Sequence, residues 1–316
     1  SGRLGGEKFI DEAKKYDLVI STYPLLSRDI EHLSKVYWDT VVLDEAQNIK
    51  NPWTKQAQAA RKLKARFRLA LTGTPVENRL SELWSIMDFL NPGYLGSLKD
   101  FKINYAIPIE RYGDPKASES LHRLVEPFIM RRLKTDKRVI QDLPEKLESN
   151  VYVNLTVEQA TLYQSIVESM MKKIESSEGM KRKGLILSAL TKLKQVCDHP
   201  SLFLSEQGRD LSGRSGKLDR LTEMLDEVIE SGDRALVFTQ FVEMGEMLRK
   251  HITSVLNVEA SFLHGGVPRA ERDEMVSQFQ REGSPVKVFI ISLRAGGLGL
   301  NLTGASYVLH YDRWWN

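Results

Sequence analysis

The sequence predicts an α/β protein with two parallel-sheet portions separated by helical insertions. Three observations carry this. Residues 1–78 alternate short helices with short branched apolar runs, DLVIST (17–22), TVVLDE (40–45) and RLALTG (68–73). Residues 79–200 are helix-rich and lose that rhythm. From residue 217 the rhythm returns with ALVFTQF (235–241), ASFLHG (260–265), VKVFIIS (286–292) and SYVLHYD (306–312). Apolar runs this short, spaced by helices, read as strands covered on both faces, which is how parallel sheets are built.

The helices follow from their own patterns. EKFIDEAKKY (7–16) is a short amphipathic helix. Asn51-Pro52 is expected to cap a helix running through KQAQAARKLKAR, with Pro in its first turn. LSELWSIMDFL (80–90) is strongly apolar and stopped by Asn91-Pro92-Gly93, and SESLHRLVEPF (118–128) is another helix. Thr156 and Gln159 form a capping box that opens a long helix, followed by LILSALTKLKQV (185–196). NVYVNL (150–155) alternates like a half-buried strand, and the polar, Gly/Ser-rich SEQGRDLSGRSG (205–216) reads as a linker. LDRLTEMLDEVI (218–229) has apolar residues at helical spacing, and RAERDEMVSQFQ (269–280) is a helix.

Composition bounds the function. The 316 residues are enough for two domains, 41% are apolar and 28% charged, and the net charge is only +3. A basic surface must therefore come from clustering. RKLKARFR (61–68) and RRLKTDKR (131–138) cluster; each reads either as a solvated face or as an anion-binding one. The single cysteine, Cys197, permits no disulfide within the chain. Cys197 with His199 is an isolated C-x-H, without the further ligands a metal site needs, so Cys197 reads as a small structural residue beside a His-Pro turn. No apolar run approaches membrane-spanning length, and no membrane partner is expected.

The chemistry begins at VVLDEAQNIKN (41–51), where three branched residues run into Asp44 and Glu45. In an open parallel sheet, ligands sit at the carboxyl ends of strands. One acid there can hold a hydrated Mg²⁺ and its neighbour can orient a water for in-line attack on a phosphoryl group. Alone, the pair reads equally as an acidic helix cap. LALTGTP (69–75) adds a hydroxyl-rich turn after the next strand, whose Thr72 and Thr74 can bond Gln47. The two blocks together are far more specific than either.

At these residues the chain resembles the SWI/SNF-type helicase-like ATPases of helicase superfamily two, which move along double-stranded DNA. The resemblance runs through STYPLL (21–26), DEAQNIKN (44–51), LTGTPVEN (71–78), PFIMRRLKTD (127–136), LPEK (143–146), LKQVCDHPSLF (193–203), SGKLDRL (215–221), ALVFTQF, FLHGGVPRAERDEMVSQF, IISLRAGGLGLNLTGA (290–305) and HYDRWWN (310–316). DEAQ and RWWN resemble the bacterial and archaeal branch. The resemblance implies two RecA-like lobes, the first incomplete. Residues 1–78 would be the partial first lobe and 79–128 a first helical insertion. Residues 129–149 would link the lobes, and 150–204 would hold the first strand of lobe two with a second helical insertion. Residues 205–216 would be flexible, and 217–316 would be the truncated second lobe.

It also implies roles. Asp44 would hold Mg²⁺, Glu45 would activate water, and Gln47, Thr72 and Thr74 would couple nucleotide state to lobe position. Ser21, Thr22, Thr239, Gln240, His264, Gly265, Ser292 and Arg294 would touch DNA phosphate, since a motor must grip the backbone without reading bases. Gly297 and Gly299 would let main chain approach the nucleotide; AGGLGLN (295–301) fails G-x-G-x-x-G, which excludes a Rossmann reading. ATP and Mg²⁺ are the implied cofactors. The implied partners are double-stranded DNA and protein components of a nucleoprotein complex, with the motor itself a monomer in the nucleoid-associated cytoplasm.

The phosphate cradle is the part not found. No G-x-x-x-x-G-K-[ST] occurs; at Gly216-Lys217, Leu218 stands where Ser or Thr is required. The resemblance puts that loop upstream of STYPLL and further arginines after WWN, and Arg313 is too early to be one of them. The chain is expected to be part of a longer protein, to hydrolyse ATP negligibly alone, and to leave an edge of its first sheet bare. Two other readings stand beside the translocase: a strand-separating helicase, disfavoured by the long insertion between TGTP and the second α/β portion, and a non-catalytic binding module, disfavoured by the intact Asp44, Glu45 and Gln47.

Overall fold

The computed structural model describes residues 7–74, 76, 78–132, 146–206, 208–293 and 300–314. The chain divides into two compact units, Ser1–Glu145 and Lys146–Asn316. Both sheets are parallel throughout, as the apolar runs require.

In the first unit α1 (Glu7–Ala13) and α2 (Tyr23–Leu33) precede β1 (Tyr37–Leu43), which crosses over through α3 (Lys55–Lys62) to β2 (Lys64–Ala70). The two strands pair from Tyr37 opposite Lys64 to Leu43 opposite Ala70. Ala57, Ala59 and Ala60 let α3 approach closely and share one core with Leu26, Leu33, Leu43, Ile49, Ile86 and Phe89. The Phe89 and Ile86 side chains come from α4 (Leu80–Leu90), whose bounds match the apolar run. Beyond it, α5 (Leu98–Phe101), a π-helical turn at Lys102–Ala106, α6 (Ile107–Tyr112) and α7 (Pro115–Val125) build a second core around Trp84, Met87, Phe101 and Leu121.

Four expectations change here. DLVIST is not a strand. No described strand pairs with it, and Leu18 and Ile20 stand 75% and 85% exposed; a strand exists only with a neighbour to complete its hydrogen bonds. The first sheet therefore has two described strands rather than three. The cap of α3 is Thr54, not Asn51, because the Thr54 hydroxyl accepts from Ala57 N at 3.2 Å. The helix stops at Lys62, where ladder pairing with β1 takes over. The RKLKARFR run serves the fold: Arg61 donates to Pro52 O at 2.7 Å, and Arg68 donates to Phe89 O and Leu63 O at 2.7 and 2.6 Å. Of RRLKTDKR, residues 133–138 lie outside the described residues, as does most of the expected linker 129–149.

In the second unit α8 (Val157–Glu175) and α9 (Gly179–Asp198) form a helical hairpin, followed by α10 (Pro200–Leu204). α11 (Gly216–Glu230), β3 (Ala235–Thr239), α12 (Val242–Val255), β4 (Glu259–Leu263), α13 (Arg269–Gln280), β5 (Val286–Ser292) and β6 (Tyr307–His310) complete it, with strand order β4-β5-β3-β6. Apolar cores cover both faces, one around Leu218, Leu225, Val237, Leu248 and Ile290, the other around Leu263, Phe279 and Phe289. Among the described residues no helix is long and apolar enough to cross a membrane.

The Thr156–Gln159 capping box is present in both directions. Gln159 does more than cap: it is fully buried, and its amide donates to Val196 O at 2.8 Å and accepts from Gly216 N at 3.3 Å. It thereby ties α8 to the end of α9 and the start of α11. NVYVNL is coil with Tyr152 89% exposed, again for want of a described strand partner. The stretch read as a linker is held in place: Arg214 pairs with Glu158 and Glu206 at 2.5 and 2.9 Å, and Thr156 Oγ1 donates to Arg214 O at 2.9 Å.

Gly245, inside α12, has its missing side chain replaced by the Phe262 ring: a Cβ there would overlap three ring atoms. Gly245→Ala gains about 1 kcal/mol of helix propensity but overpacks a site where such insertions cost about 1–3 kcal/mol. The overpacking wins because Phe262 is itself buried. A lowered urea midpoint for the second unit is the expected outcome; an unchanged or raised midpoint would show that the ring yields freely.

Candidate functional site

In the first unit, both strands end at the same edge. Leu43 and Ala70 are the last ladder partners. Two further bonds, Leu71 N to Leu43 O at 2.8 Å and Ala46 N to Leu71 O at 2.9 Å, hold the two chains together just past it. Asp44 and Glu45 sit between those anchors and are both exposed.

Glu45 takes a left-handed backbone (φ 51, ψ 51). For a residue other than Gly this costs about 1–2 kcal/mol, so local bonds must hold it. Glu45 N donates to Asp44 Oδ1 at 3.0 Å, and Glu45 O accepts from Asn48 Nδ2 at 2.9 Å. The side chains then form a relay. Gln47 Nε2 donates to Glu45 Oε2 at 2.5 Å, Thr72 Oγ1 donates to Gln47 Oε1 at 2.8 Å, and Thr74 N donates to Thr72 Oγ1 at 3.1 Å. Only one orientation of the Gln47 amide satisfies both neighbours, since a carboxylate can accept but not donate. Asp44, Glu45, Gln47, Thr72 and Thr74 are thus brought to one edge. Asp44 and Glu45 fit a Mg²⁺ held by one or two carboxylates with water and phosphate oxygens completing its shell. Among the described residues no group of three or more His, Cys, Asp or Glu side chains forms a metal cage.

Sequence reasoning missed Tyr23. Its hydroxyl donates to Asp44 O at 2.7 Å, and its ionisation is pushed up to about 12, by burial first and then by the charges of Asp44 and Glu45. The signal was its place in STYPLL. Ser21 and Thr22, just before it, are exposed, and Thr22 Oγ1 caps α2 by accepting from Leu25 N at 3.4 Å.

In the second unit, four parallel strands deliver their carboxyl ends to one edge. Thr239 ends β3 and Gln240 follows it, His264 and Gly265 follow β4, Ser292 ends β5, and Tyr311 and Asp312 follow β6. The organiser is Asp312, which sequence reasoning also missed. It is buried, accepts from Thr239 Oγ1 at 2.5 Å and from Gln240 N at 2.9 Å, and its carboxyl is raised by burial against the lowering effect of those bonds. Thr239 and Ser292 are ladder partners and are 0% and 3% exposed. The Thr239 hydroxyl is directed to Asp312. His264 is half-buried, and its Nδ1 accepts from Gly266 N at 3.2 Å. Gly265 is exposed with open space where a Cβ would stand. Arg294, Gly297 and Gly299 lie outside the described residues.

Beside Asp312, Tyr311 donates its hydroxyl to Asp198 O at 2.6 Å, and Lys217 pairs with Asp198 Oδ1 at 2.6 Å. Asp198 is 1% exposed and its Oδ2 has no partner among the described residues. Burial therefore outweighs the Lys217 charge and pushes its pKa to about 7. Cys197 is half-buried with its thiol raised by burial, as a structural residue would be.

Two parallel-sheet units, one with an acid pair relayed through a glutamine to a threonine turn, are the architecture of helicase-like proteins. The SNF2-related domain matches residues 7–202 and the helicase conserved C-terminal domain matches residues 216–316; the chain belongs to the SNF2-related family. It is 47% identical over 315 residues to the putative ATP-dependent helicase/translocase YwqA of Bacillus subtilis, covering 99% of this chain and 34% of that protein. It is 35% identical to the SWI/SNF-related matrix-associated actin-dependent regulator of chromatin subfamily A member 1 of mouse, covering 96% of this chain and 29% of that one. Among solved structures, the Sulfolobus solfataricus SWI2/SNF2 ATPase core in complex with dsDNA is 49% identical with a TM-score of 0.51, covering 97% of this chain and 65% of that one. The chain thus spans about a third of the curated relatives' length. The family match divides between residues 202 and 216, whereas α8–α10 fold onto the second unit.

The buried Asp198 yields a pH dependence. Its folded pKa lies above the 3.8 of an ordinary Asp, so the folded state holds a proton that the unfolded state has lost. Its favourable contribution is complete below pH 4 and is lost as pH rises through about 7. Asp198→Asn, which keeps shape without charge, should therefore gain stability relative to the parent as pH rises from 4 to 8. A difference in unfolding free energy that is flat with pH would contradict the assignment.

Proposed function

We propose that the full-length protein is an ATP-dependent motor that moves along double-stranded DNA. The observation that carries the reading is the relay from Glu45 through Gln47 to Thr72 and Thr74 at the carboxyl edge of the first sheet. Membership in the SNF2-related family supports it, as does the likeness to an ATPase core whose own structure contains duplex DNA.

In this reading Asp44 holds Mg²⁺ on the nucleotide, and Glu45 orients the attacking water. The metal, when bound, neutralises charge developing on the transferred phosphoryl group. Gln47 holds the Glu45 carboxylate in one rotamer, and Thr72 fixes the Gln47 amide. A shift of the TGTP turn therefore changes how Glu45 is held, which is how nucleotide state and chain position become coupled. Ser21, Thr22, Gln240, His264 and Gly265 lie at or beside sheet edges where hydroxyls, amides and main chain can meet phosphate oxygens. Arg294 would add a phosphate contact, while Gly297 and Gly299 would let main chain approach the nucleotide. Thr239, Ser292 and Asp312 keep the second of those edges in shape. A motor of this kind works as a monomer on nucleoid DNA, with other components of a nucleoprotein complex as its targets.

Two measurements test this. In the full-length protein Glu45→Gln should lower duplex-stimulated ATP turnover by about 100-fold or more, the usual weight of a positioned general base, while ATP still binds. Unchanged turnover would favour a non-catalytic binding module. The 316 residues alone contain no G-x-x-x-x-G-K-[ST] and should turn over ATP negligibly even with duplex DNA. Robust hydrolysis by them would mean that the phosphate cradle lies elsewhere in the chain.

A further inference from the structure

We propose that Tyr23 is a positioning residue that transmits contact at the Ser21–Thr22 turn to the acid pair, by holding the peptide plane between Asp44 and Glu45. The inference rests on the motor reading and goes one residue further than it.

The geometry is specific. The Asp44–Glu45 peptide is held at both ends. Its carbonyl oxygen accepts from the Tyr23 hydroxyl at 2.7 Å, and its N–H donates to Asp44 Oδ1 at 3.0 Å. Ladder pairing of β1 ends one residue earlier, at Leu43, so among the described residues no strand neighbour fixes this plane. The plane matters because Glu45 is left-handed at φ 51. Rotating it moves the Glu45 torsion towards ordinary backbone and displaces both carboxylates together. The Tyr23 bond to its oxygen thus sets where two acids stand.

Tyr23 is also placed to feel a ligand. It is the first residue of α2, directly after the exposed Ser21 and Thr22. Thr22 Oγ1 is the cap of that helix, accepting from Leu25 N; its own proton can go to a phosphate oxygen at the same time, so a bound phosphate acts on the oxygen that sets the first turn. Leu26 and Leu33 are buried in the first core and the Tyr23 ring packs against it, so a displacement at the cap is carried to the Tyr23 ring. An ordinary tyrosine hydroxyl ionises only near about pH 10, so it remains a donor at working pH.

The test uses the full-length protein with saturating duplex DNA and with none, and reads the ratio of the two kcat values. Tyr23→Phe keeps the half-buried ring and removes only the hydroxyl; Tyr23→Leu removes both. Both variants should lower the ratio by about fivefold or more, the lower bound of an ordinary coupling between sites, with the dissociation constant for duplex kept within about twofold. A merely structural Tyr23 would lower both kcat values by one factor and leave the ratio unchanged, which overturns the proposal. So does a Tyr23→Phe ratio equal to the parent's with only Tyr23→Leu affected, or a loss confined to DNA affinity. If the parent itself shows no stimulation by duplex, the motor reading fails and takes this inference with it.

Discussion

A strand in a parallel sheet is held by its neighbours only as far as the ladder runs. Beyond the last pair, its amides and carbonyls must find other partners or face water. Because all strands of a parallel sheet point one way, these ends collect at one edge. That constraint organises both units. In the first, the chain leaves β1 at Leu43 and is taken over by Ala46 N to Leu71 O, Tyr23 to Asp44 O and Asn48 to Glu45 O. In the second, Asp312 gathers Thr239 and the Gln240 amide. The side chains that satisfy the backbone are the same ones, or next to the same ones, that the proposed chemistry uses.

This explains why the Glu45 strain is tolerable. A left-handed Glu pays a local cost that the surrounding bonds offset, and the benefit is two adjacent carboxylates on one exposed edge. Gln47 then serves as a swivel with one permitted setting, since its two ends face a donor and an acceptor. The edge of the second unit is built differently. Its organising acid is buried, and a second buried acid, Asp198, stands behind it with Lys217 and Tyr311. Buried acids of this sort stabilise little by themselves, but they fix which loops sit together.

What the sequence revealed depended on how local the cause was. The Thr156–Gln159 box, the α4 run and the parallel strands were legible because periodicity and capping act within a few residues. The acid pair and threonine turn were legible because two short blocks with fixed chemistry flank adjacent strands. DLVIST and NVYVNL were misread because alternation gives a strand its faces but not its partner. In SEQGRDLSGRSG, polarity does not reveal that Arg214 has Glu158 as a partner far along the chain. Asp312 and Tyr23 were invisible for the same reason: their partners lie at Thr239 and Asp44, and only folding brings them together.

The proposed motor needs the edge carrying Asp44, Glu45, Gln47 and Thr72 to face a metal–nucleotide complex. Iron-mediated cleavage tests it most directly. The full-length protein, loaded with ATP and Fe²⁺ in place of Mg²⁺ and treated with peroxide, generates radicals only where the metal sits. The account predicts ATP-dependent backbone scission within residues 43–48, suppressed by excess Mg²⁺. ATP-dependent scission confined to other parts of the chain would contradict it.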